Sequence, residues 1–289
     1  MSQLESFTDN RPLLFSIAYR MLGSATDAED IVQETWLRWQ KASAEEITSP
    51  RSFLTTVTTR LCIDQLRSAR AQREVYVGPW LPEPIYTAGL SERVEMADSL
   101  SIAFLVLLES LTPHERAIFL LRQVFDYEYN EIAQIVGKSE SNCRQLFHRA
   151  QKHITERRPR YQTSPQQKAK LVHSFIAACN TGDMDGLLNL LESDIVLYSD
   201  GGGKVQAARN PVYGSQNVAR FLLGKLKKAS VAGLRVETTQ LNGQLSLIIY
   251  WGEKLYTVVN FEFDNGHISQ LHLVVNPDKL AYLQKSPHP

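Results

Sequence analysis

Residues 111–154 read LTPHERAIFLLRQVFDYEYNEIAQIVGKSESNCRQLFHRAQKHI, and the periodicity inside them sets the class of the chain. Cys143, Leu146, Phe147, Ala150 and Ile154 recur at three- and four-residue steps, which puts them on one face of a helix. Ser141, Asn142, Arg144, Gln145, His148, Arg149 and Lys152 are left on the other face. Just upstream, Ile132, Ala133 and Val136 give a shorter helix its apolar stripe. Gly137 supplies a helix stop, and Ser139 is placed to accept a hydrogen bond from an orphan amide as N-cap. Two short helices joined by a glycine-bearing turn form a helix-turn-helix, a motif that lays its second helix in the major groove of DNA. Asn and Gln suit adenine and Arg suits guanine or phosphate, whereas a merely solvated face would carry more Glu and Lys.

Outside this stretch the chain has room for two or three domains in 289 residues. No run of about eighteen apolar residues is present, and the polar start MSQLESFTDN lacks the apolar core of a signal peptide, so a soluble intracellular protein with no membrane partner is expected. Cys62, Cys143 and Cys179 are widely spaced on faces expected to be buried; they form no metal motif and imply no disulfide framework, and neither metal nor cofactor is expected. Lys and Arg together number 31, as do Asp and Glu, yet the neutral mean hides segregation. Asp27, Glu29, Asp30 and Glu34 form an acidic cluster. Arg51, Arg60, Arg67, Arg70 and Arg73 lie in a segment with few acids, and Lys138, Arg144, Arg149, Lys152, Arg157, Arg158 and Arg160 form a second basic region. Local fields, not the total, steer a polyanion to its site.

The rest of the chain divides by period and composition. From Arg11 to Arg73 the pattern is helical, with Leu14, Ile17, Ala18 and Met21 in one stripe and Ile31, Val32, Trp36 and Trp39 in another; Phe53, Val57, Leu61 and Leu66 supply much of the buried face of the helix that follows. Residues 75–93 carry Gly78, Pro79, Pro82, Pro84 and Gly89 and form a linker, whose apolar Trp80, Leu81 and Ile85 predict docking on another surface. Helical spacing resumes at Val94 and ends in a basic, proline-bearing tail. A third unit begins near residue 165 with a helix carrying Leu171, Val172, Phe175, Ile176 and Cys179, then the Thr181-Gly182-Asp183 turn and a short helix. After Val231 the period becomes two: Leu245, Leu247, Ile249 and Trp251 alternate, as do Leu255, Thr257, Val259, Phe261 and Phe263, and Asn242-Gly243 and Asn265-Gly266 mark hairpins. The fold class expected is two all-α domains followed by an α+β domain with a curved antiparallel sheet.

The order and spacing of DAEDIVQETWLRW, SPRSFLTTVTTRLCIDQLRSAR and the helix-turn-helix resemble an extracytoplasmic-function (ECF) RNA polymerase sigma factor over roughly residues 8–158. The resemblance implies region 2 over 1–74, a linker over 75–93 and region 4 over 94–160. It implies two partners, core RNA polymerase and promoter DNA. The clamp helices of the largest polymerase subunit would be met by Asp27, Glu29, Asp30, Gln33 and Glu34. The minus-ten element would be met by the helix bearing Arg51, Arg60, Arg67, Arg70 and Arg73 with the loop Ala44 to Arg51 before it. The minus-thirty-five element would be met by Glu140, Ser141, Asn142, Arg144, Gln145, His148, Arg149 and Lys152. Asp64 is expected to pair with a nearby arginine.

Three further strings resemble the ECF group fused to a SnoaL-like domain, here 165–289. They are WLPEP (Trp80, Leu81, Pro82, Glu83, Pro84), DGGGK (Asp200, Gly201, Gly202, Gly203, Lys204) and NPDKL (Asn276, Pro277, Asp278, Lys279, Leu280). That resemblance implies a regulatory domain whose glycine loop contacts the linker or the tail, with a possible small-molecule ligand and no catalytic chemistry. No separate anti-sigma partner is inferred. Tyr198, Asp200, Arg209, Tyr213, Trp251 and His272 are the polar and aromatic candidates for the cone interior. The alternative is a DNA-binding regulator whose last domain is a small-molecule sensor or a cyclase- or isomerase-like enzyme.

Overall fold

The computed structural model describes residues 2–42, 47, 49–73, 76–87, 99–155, 163–228 and 233–285, with the backbone alone for 69–73 and 228. The chain forms two compact units, residues 1–75 with 104–157 and residues 76–103 with 158–289. No described helix is long and apolar enough to cross a membrane.

In the first unit α1 (Gln3–Leu22) starts where Ser2 and Glu5 cap each other and stops at Gly23, which takes the left-handed conformation with φ 68°. The Ser24 hydroxyl then caps α2 (Ala25–Lys41), and α3 (Pro50–Arg73) completes a helical bundle around Phe7, Leu14, Val32, Trp39 and Leu54. After α4 (Ile102–Leu108) come α5 (Pro113–Gln123), α6 (Tyr129–Val136) and α7 (Glu140–Thr155). Thr112 and Glu115 cap α5 reciprocally with Pro113 in its first turn, Gly137 ends α6 at φ 67°, and the Ser139 hydroxyl accepts from the Asn142 amide at 3.3 Å. Cys143, Phe147, Ala150 and Ile154 are buried and Leu146 partly so.

The buried face of α3 is not the one expected. Leu54, Thr55, Thr58, Thr59, Cys62, Ile63 and Leu66 are buried, whereas Phe53, Val57 and Leu61 are only partly so. The reason is polar pairing: Thr58 meets Thr35 of α2 at 3.1 Å, and Thr55 meets the hydroxyl of Tyr127, in the loop between α5 and α6, at 3.1 Å. A threonine whose hydroxyl finds a partner fits a close helix crossing without an unpaired polar group. Arg116 joins the two helical modules from inside. It is 2% exposed, donates to the carbonyls of Met21 (2.6 Å) and Leu108 (2.9 Å), and burial lowers its pKa to about 9.

The second unit contains α8 (Pro165–Thr181), α9 (Met184–Leu190), β1 (Leu191–Asp200), β2 (Val212–Tyr213), α10 (Ser215–Lys228), β3 (Leu234–Leu241), β4 (Gln244–Trp251), β5 (Lys254–Asp264), β6 (His267–Val274) and α11 (Pro277–Lys285). The sheet order is β2-β1-β6-β5-β4-β3. Both Asn-Gly pairs form tight turns with both residues at positive φ, 53° and 72° at Asn242-Gly243 and 48° and 77° at Asn265-Gly266, the geometry that matches strand twist. The sheet is mixed rather than wholly antiparallel, because β1 runs parallel to β6. The β1–β2 segment and α10 precede the β3–β6 meander, which winds back to lay its last strand beside β1. Register shifts in β1, β4 and β5 add bends. One face packs Leu197, Leu247, Val259, Phe261 and Leu271 against α8, α9 and α10.

The linker belongs to this second unit. Ile85 and Asn242 exchange hydrogen bonds at 3.0 and 3.1 Å, Asn242 Nδ2 donates to the Leu100 carbonyl at 3.0 Å, and Tyr86 bridges to Leu241. The buried Asn242 side chain thus holds Ile85 of the linker and Leu100 just before α4.

Candidate nucleic-acid interface and linker clasp

On α2 the acidic residues separate into two groups. Glu29 is paired with Arg11 at 2.6 Å and Glu34 with Arg38 at 2.9 Å, whereas Asp30 and Gln33 stand exposed one turn apart. Leu37 follows on the same strip and is 43% exposed, a large apolar side chain next to free polar ones. Asp27 is half-buried at the start of the helix and helps to raise the pKa of the buried Cys62, behind the larger effect of desolvation.

On α3, Arg51, Arg60 and Arg67 are exposed. Arg67 pairs with Asp64 at 3.3 Å. Arg60 is engaged inside the unit: its Nε donates to the Ile135 carbonyl at 2.8 Å and its Nη2 to Gln134 at 2.9 Å, satisfying the end of α6. The side chains of Arg70 and Arg73, residues 44–46 and 48 of the loop before α3, and Arg157, Arg158 and Arg160 lie outside the described residues.

On α7, Glu140, Ser141, Asn142, Arg144, Gln145, His148, Arg149 and Lys152 are all exposed. Arg144 pairs with Glu140 and lies 4.4 Å from the Tyr129 ring centroid, so its guanidinium is held by a carboxylate and a ring face. An exposed row of Asn, Arg and Gln on a capped helix can donate to base edges and phosphates with little rearrangement.

In the second unit the three short strings converge on one buried ion pair. Asp200, fully buried at the end of β1, accepts from Lys279 Nζ at 2.6 Å, from the Leu81 amide at 2.8 Å, from the Tyr76 hydroxyl at 2.5 Å and from the Gly202 amide at 3.1 Å. Lys279 also donates to the Leu81 carbonyl and sits 4.1 Å above the Trp80 ring. Pro82, Glu83 and Pro84 are buried beyond it, as is Leu280. Desolvation, then the bond to Asp200, pushes the Tyr76 hydroxyl pKa up. The glycines permit the approach: a Cβ on Gly202 would lie 2.2 Å from Asn276 Nδ2, and one on Gly201 2.7 Å from the Val205 carbonyl, while Gly202 and Gly203 take φ of 58° and 73°. Asn276 accepts from the Asp278 amide at 3.1 Å at the start of α11, whose Pro277 is exposed, and Lys204 pairs with Asp278 at the surface. The sequence leaves Tyr76 unremarked, though an aromatic hydroxyl just before a proline-rich segment is a plausible partner for a buried acid.

The residues expected in the cone interior do not line it. An apolar chamber of about 140 Å³ lies between α8, α10 and the sheet, walled by Phe175, Leu222, Leu226, Leu247, Ile249 and Val259 among others. Tyr198, Asp200, Arg209, Tyr213, Trp251 and His272 are absent from its lining. Strand alternation explains three of them, because Tyr198, Asp200 and His272 point to the opposite face from Ser199 and Leu273, whereas Trp251 is exposed at the strand end.

Behind the sheet, Tyr198, His272, Asn260 and Ser246 form a row across four adjacent strands. Tyr198 stacks on His272 with centroids 5.3 Å apart, and neither ring nitrogen of His272 has a partner among the described residues. Burial lowers its pKa from 6.5 to about 4, so the folded protein keeps it neutral while the unfolded chain takes up a proton as pH falls through 6.5. Stability is therefore lost between pH 6.5 and 4. His272→Leu should remove about 2 kcal/mol of the stability difference between roughly pH 7 and pH 5, read by urea unfolding at the two pH values; an unchanged difference would place the acid sensitivity elsewhere.

Comparison with known proteins places these features in a family. Sigma-70 region 2 matches residues 7–72, and Sigma-70, region 4 matches residues 101–154. The ECF RNA polymerase sigma factor SigJ of Mycobacterium tuberculosis (strain ATCC 25618 / H37Rv) is 40% identical over 232 residues, covering 78% of this chain and 74% of that protein. The probable ECF RNA polymerase sigma factor SigI of Mycobacterium tuberculosis (strain CDC 1551 / Oshkosh) is 31% identical over 280 residues, covering 95% of this chain and 93% of that one. The crystal structure of the Mycobacterium tuberculosis extracytoplasmic function sigma factor SigJ matches with a TM-score of 0.77 at 33% identity, over 96% of this chain and 98% of its own. The overall fold thus recurs in a relative over nearly its whole length, and the chain belongs to the ECF family of RNA polymerase sigma factors, the proteins that direct transcription initiation.

Proposed function

We propose that this sigma factor docks on the clamp helices of the largest polymerase subunit through Asp27, Asp30, Gln33 and Leu37 of α2, with Glu29 and Glu34 supporting them. The α3 arginines then hold the minus-ten element, and the exposed face of α7 reads the minus-thirty-five element. The reading assigns no bond-making step to any residue. The fused domain acts in cis through the linker, and a small molecule that prefers one state of the linker would shift its activity.

The observation that carries the cis reading is the convergence of Leu81, Asp200 and Lys279 on one buried centre, which puts the segment joining the two DNA-reading modules in the grip of the fused domain. A second observation concerns the starting state. Elements named for minus ten and minus thirty-five are about 25 base pairs, roughly 85 Å, apart on B-form DNA. The Arg60, Thr55 and Arg116 bonds hold the two helical modules against each other, so this packed form must open before both elements are occupied.

Run-off transcription with purified core polymerase tests the assignments. Arg144→Ala and Gln145→Ala should each lose about 1–3 kcal/mol of minus-thirty-five discrimination while core binding is retained. A footprint on cognate promoter DNA that is unchanged in both variants would remove α7 from the groove. Trp80→Ala should change promoter output more than it changes folding; equal output from the variant and the parent would count against control in cis.

A further inference from the structure

The apolar chamber has a charged mouth. A second space of about 310 Å³ adjoins it and shares Gln206, Phe221 and Lys225 with its lining, adding Ala207, Arg220 and Gly224. The two share a wall, so the apolar lining of the chamber meets a polar rim on α10. No described residue lining either part is acidic. The helix itself, SQNVARFLLGKLKK, carries cations and no carboxylate. Lys225 Nζ donates one of its bonds to the Gln206 carbonyl at 2.9 Å and stands 5.8 Å from the Phe221 ring centroid, which holds the ammonium at the boundary between the two parts. Gly224 keeps the mouth open: a Cβ there would meet no atom within 4 Å.

Protein interiors rarely leave apolar space of this size empty, and a space of about 150 Å³ accommodates one benzene ring. The buried Thr257 hydroxyl, already bonded to the Val274 carbonyl, cannot compensate a buried charge, so a charged head belongs outside with the cations. We infer that this site binds a small amphipathic carboxylate, an aryl or short-chain alkyl acid, with its apolar part in the chamber and its carboxylate between Arg220 and Lys225. The inference rests on reading the fused domain as the regulatory part of the sigma factor and names the chemical class of its ligand.

Calorimetric titration and thermal unfolding of the full chain with octanoate test it, with 1-octanol and octylamine as controls of equal tail length. Octanoate should bind saturably and raise the melting temperature, and each control should bind at least tenfold more weakly, roughly the worth of a charge-assisted contact. Arg220→Gln combined with Lys225→Gln should bring octanoate to the level of octanol. Gly224→Leu, a substitution that suits a helix and has open space to enter, should abolish binding without lowering the melting temperature of the free protein. Octylamine or octanol binding as well as octanoate, or octanoate binding to Gly224→Leu unchanged, would overturn the inference. Because binding is read without polymerase, its failure is distinct from a failure of the transcription assay that tests control in cis.

Discussion

Asp200→Asn is expected to destabilise the sheet-bearing unit by about 3–5 kcal/mol, because it leaves the Lys279 ammonium buried without its counter-charge. For a unit of this size that corresponds to a fall of about 10 °C in its unfolding temperature. The ammonium cannot turn to solvent cheaply: Lys279 is 7% exposed and packed over the Trp80 ring. The same change weakens the acceptor for Tyr76 and for the Leu81 amide, so amide exchange at Leu81 should accelerate along with it. Replacing both members, Asp200→Asn with Lys279→Met, should recover much of the loss, since an apolar substitute for a buried ion pair is often neutral. Calorimetry and hydrogen exchange on the full chain check this. A single variant that melts within about a degree of the parent, or a double variant that loses the sum of both single losses, would show that the ion pair does not hold the linker.

Asp30→Lys should weaken binding to core polymerase by about 2–3 kcal/mol, thirtyfold or more, with the loss concentrated at low ionic strength. Asp30 is exposed on α2 and has no partner among the described residues, so reversing its charge breaks nothing within the fold. Glu29→Gln and Glu34→Gln should cost less, since those carboxylates already spend their charge on Arg11 and Arg38. Leu37→Asp should approach the Asp30→Lys effect through lost apolar contact. Titration of fluorescently labelled sigma factor into core enzyme would rank the variants. Equal affinities for Asp30→Lys and the parent would move the docking surface off this strip.

Most of the architecture was legible because its signals are local. Capping residues, glycine stops and the 3.6-residue stripe placed α7 and its exposed side chains, and the Asn-Gly pairs placed two of the three described hairpin turns, the third being Gly252-Glu253 between β4 and β5. The failures have physical causes. Threonine reads as polar in a linear pattern, yet Thr55, Thr58 and Thr59 are buried, and two of them are satisfied by distant partners, Tyr127 in a loop and Thr35 on α2. The strand Leu191–Asp200 carries Glu192, Ser193 and Asp194 where a regular alternation would be broken, and its register slips there. The strings around Trp80, Asp200 and Asn276 were visible, but not which atom meets which. The Leu81–Asp200 and Lys279–Asp200 bonds join positions 119 and 79 residues apart, and no local pattern encodes such pairs. Leu37 was missed because one exposed leucine is unremarkable until its neighbours are seen to be free.

The Asn242 side chain, by holding Ile85 and Leu100 together, also shortens the chain. From Tyr76 to Ser101 there are about 26 residues, which reach roughly 90 Å when drawn out. That length is close to the distance between the two promoter elements. Under the proposed control in cis, release of Asn242 and of the Asp200 centre would free this length, and the fused domain would then set the span of the promoter-reading modules without touching DNA.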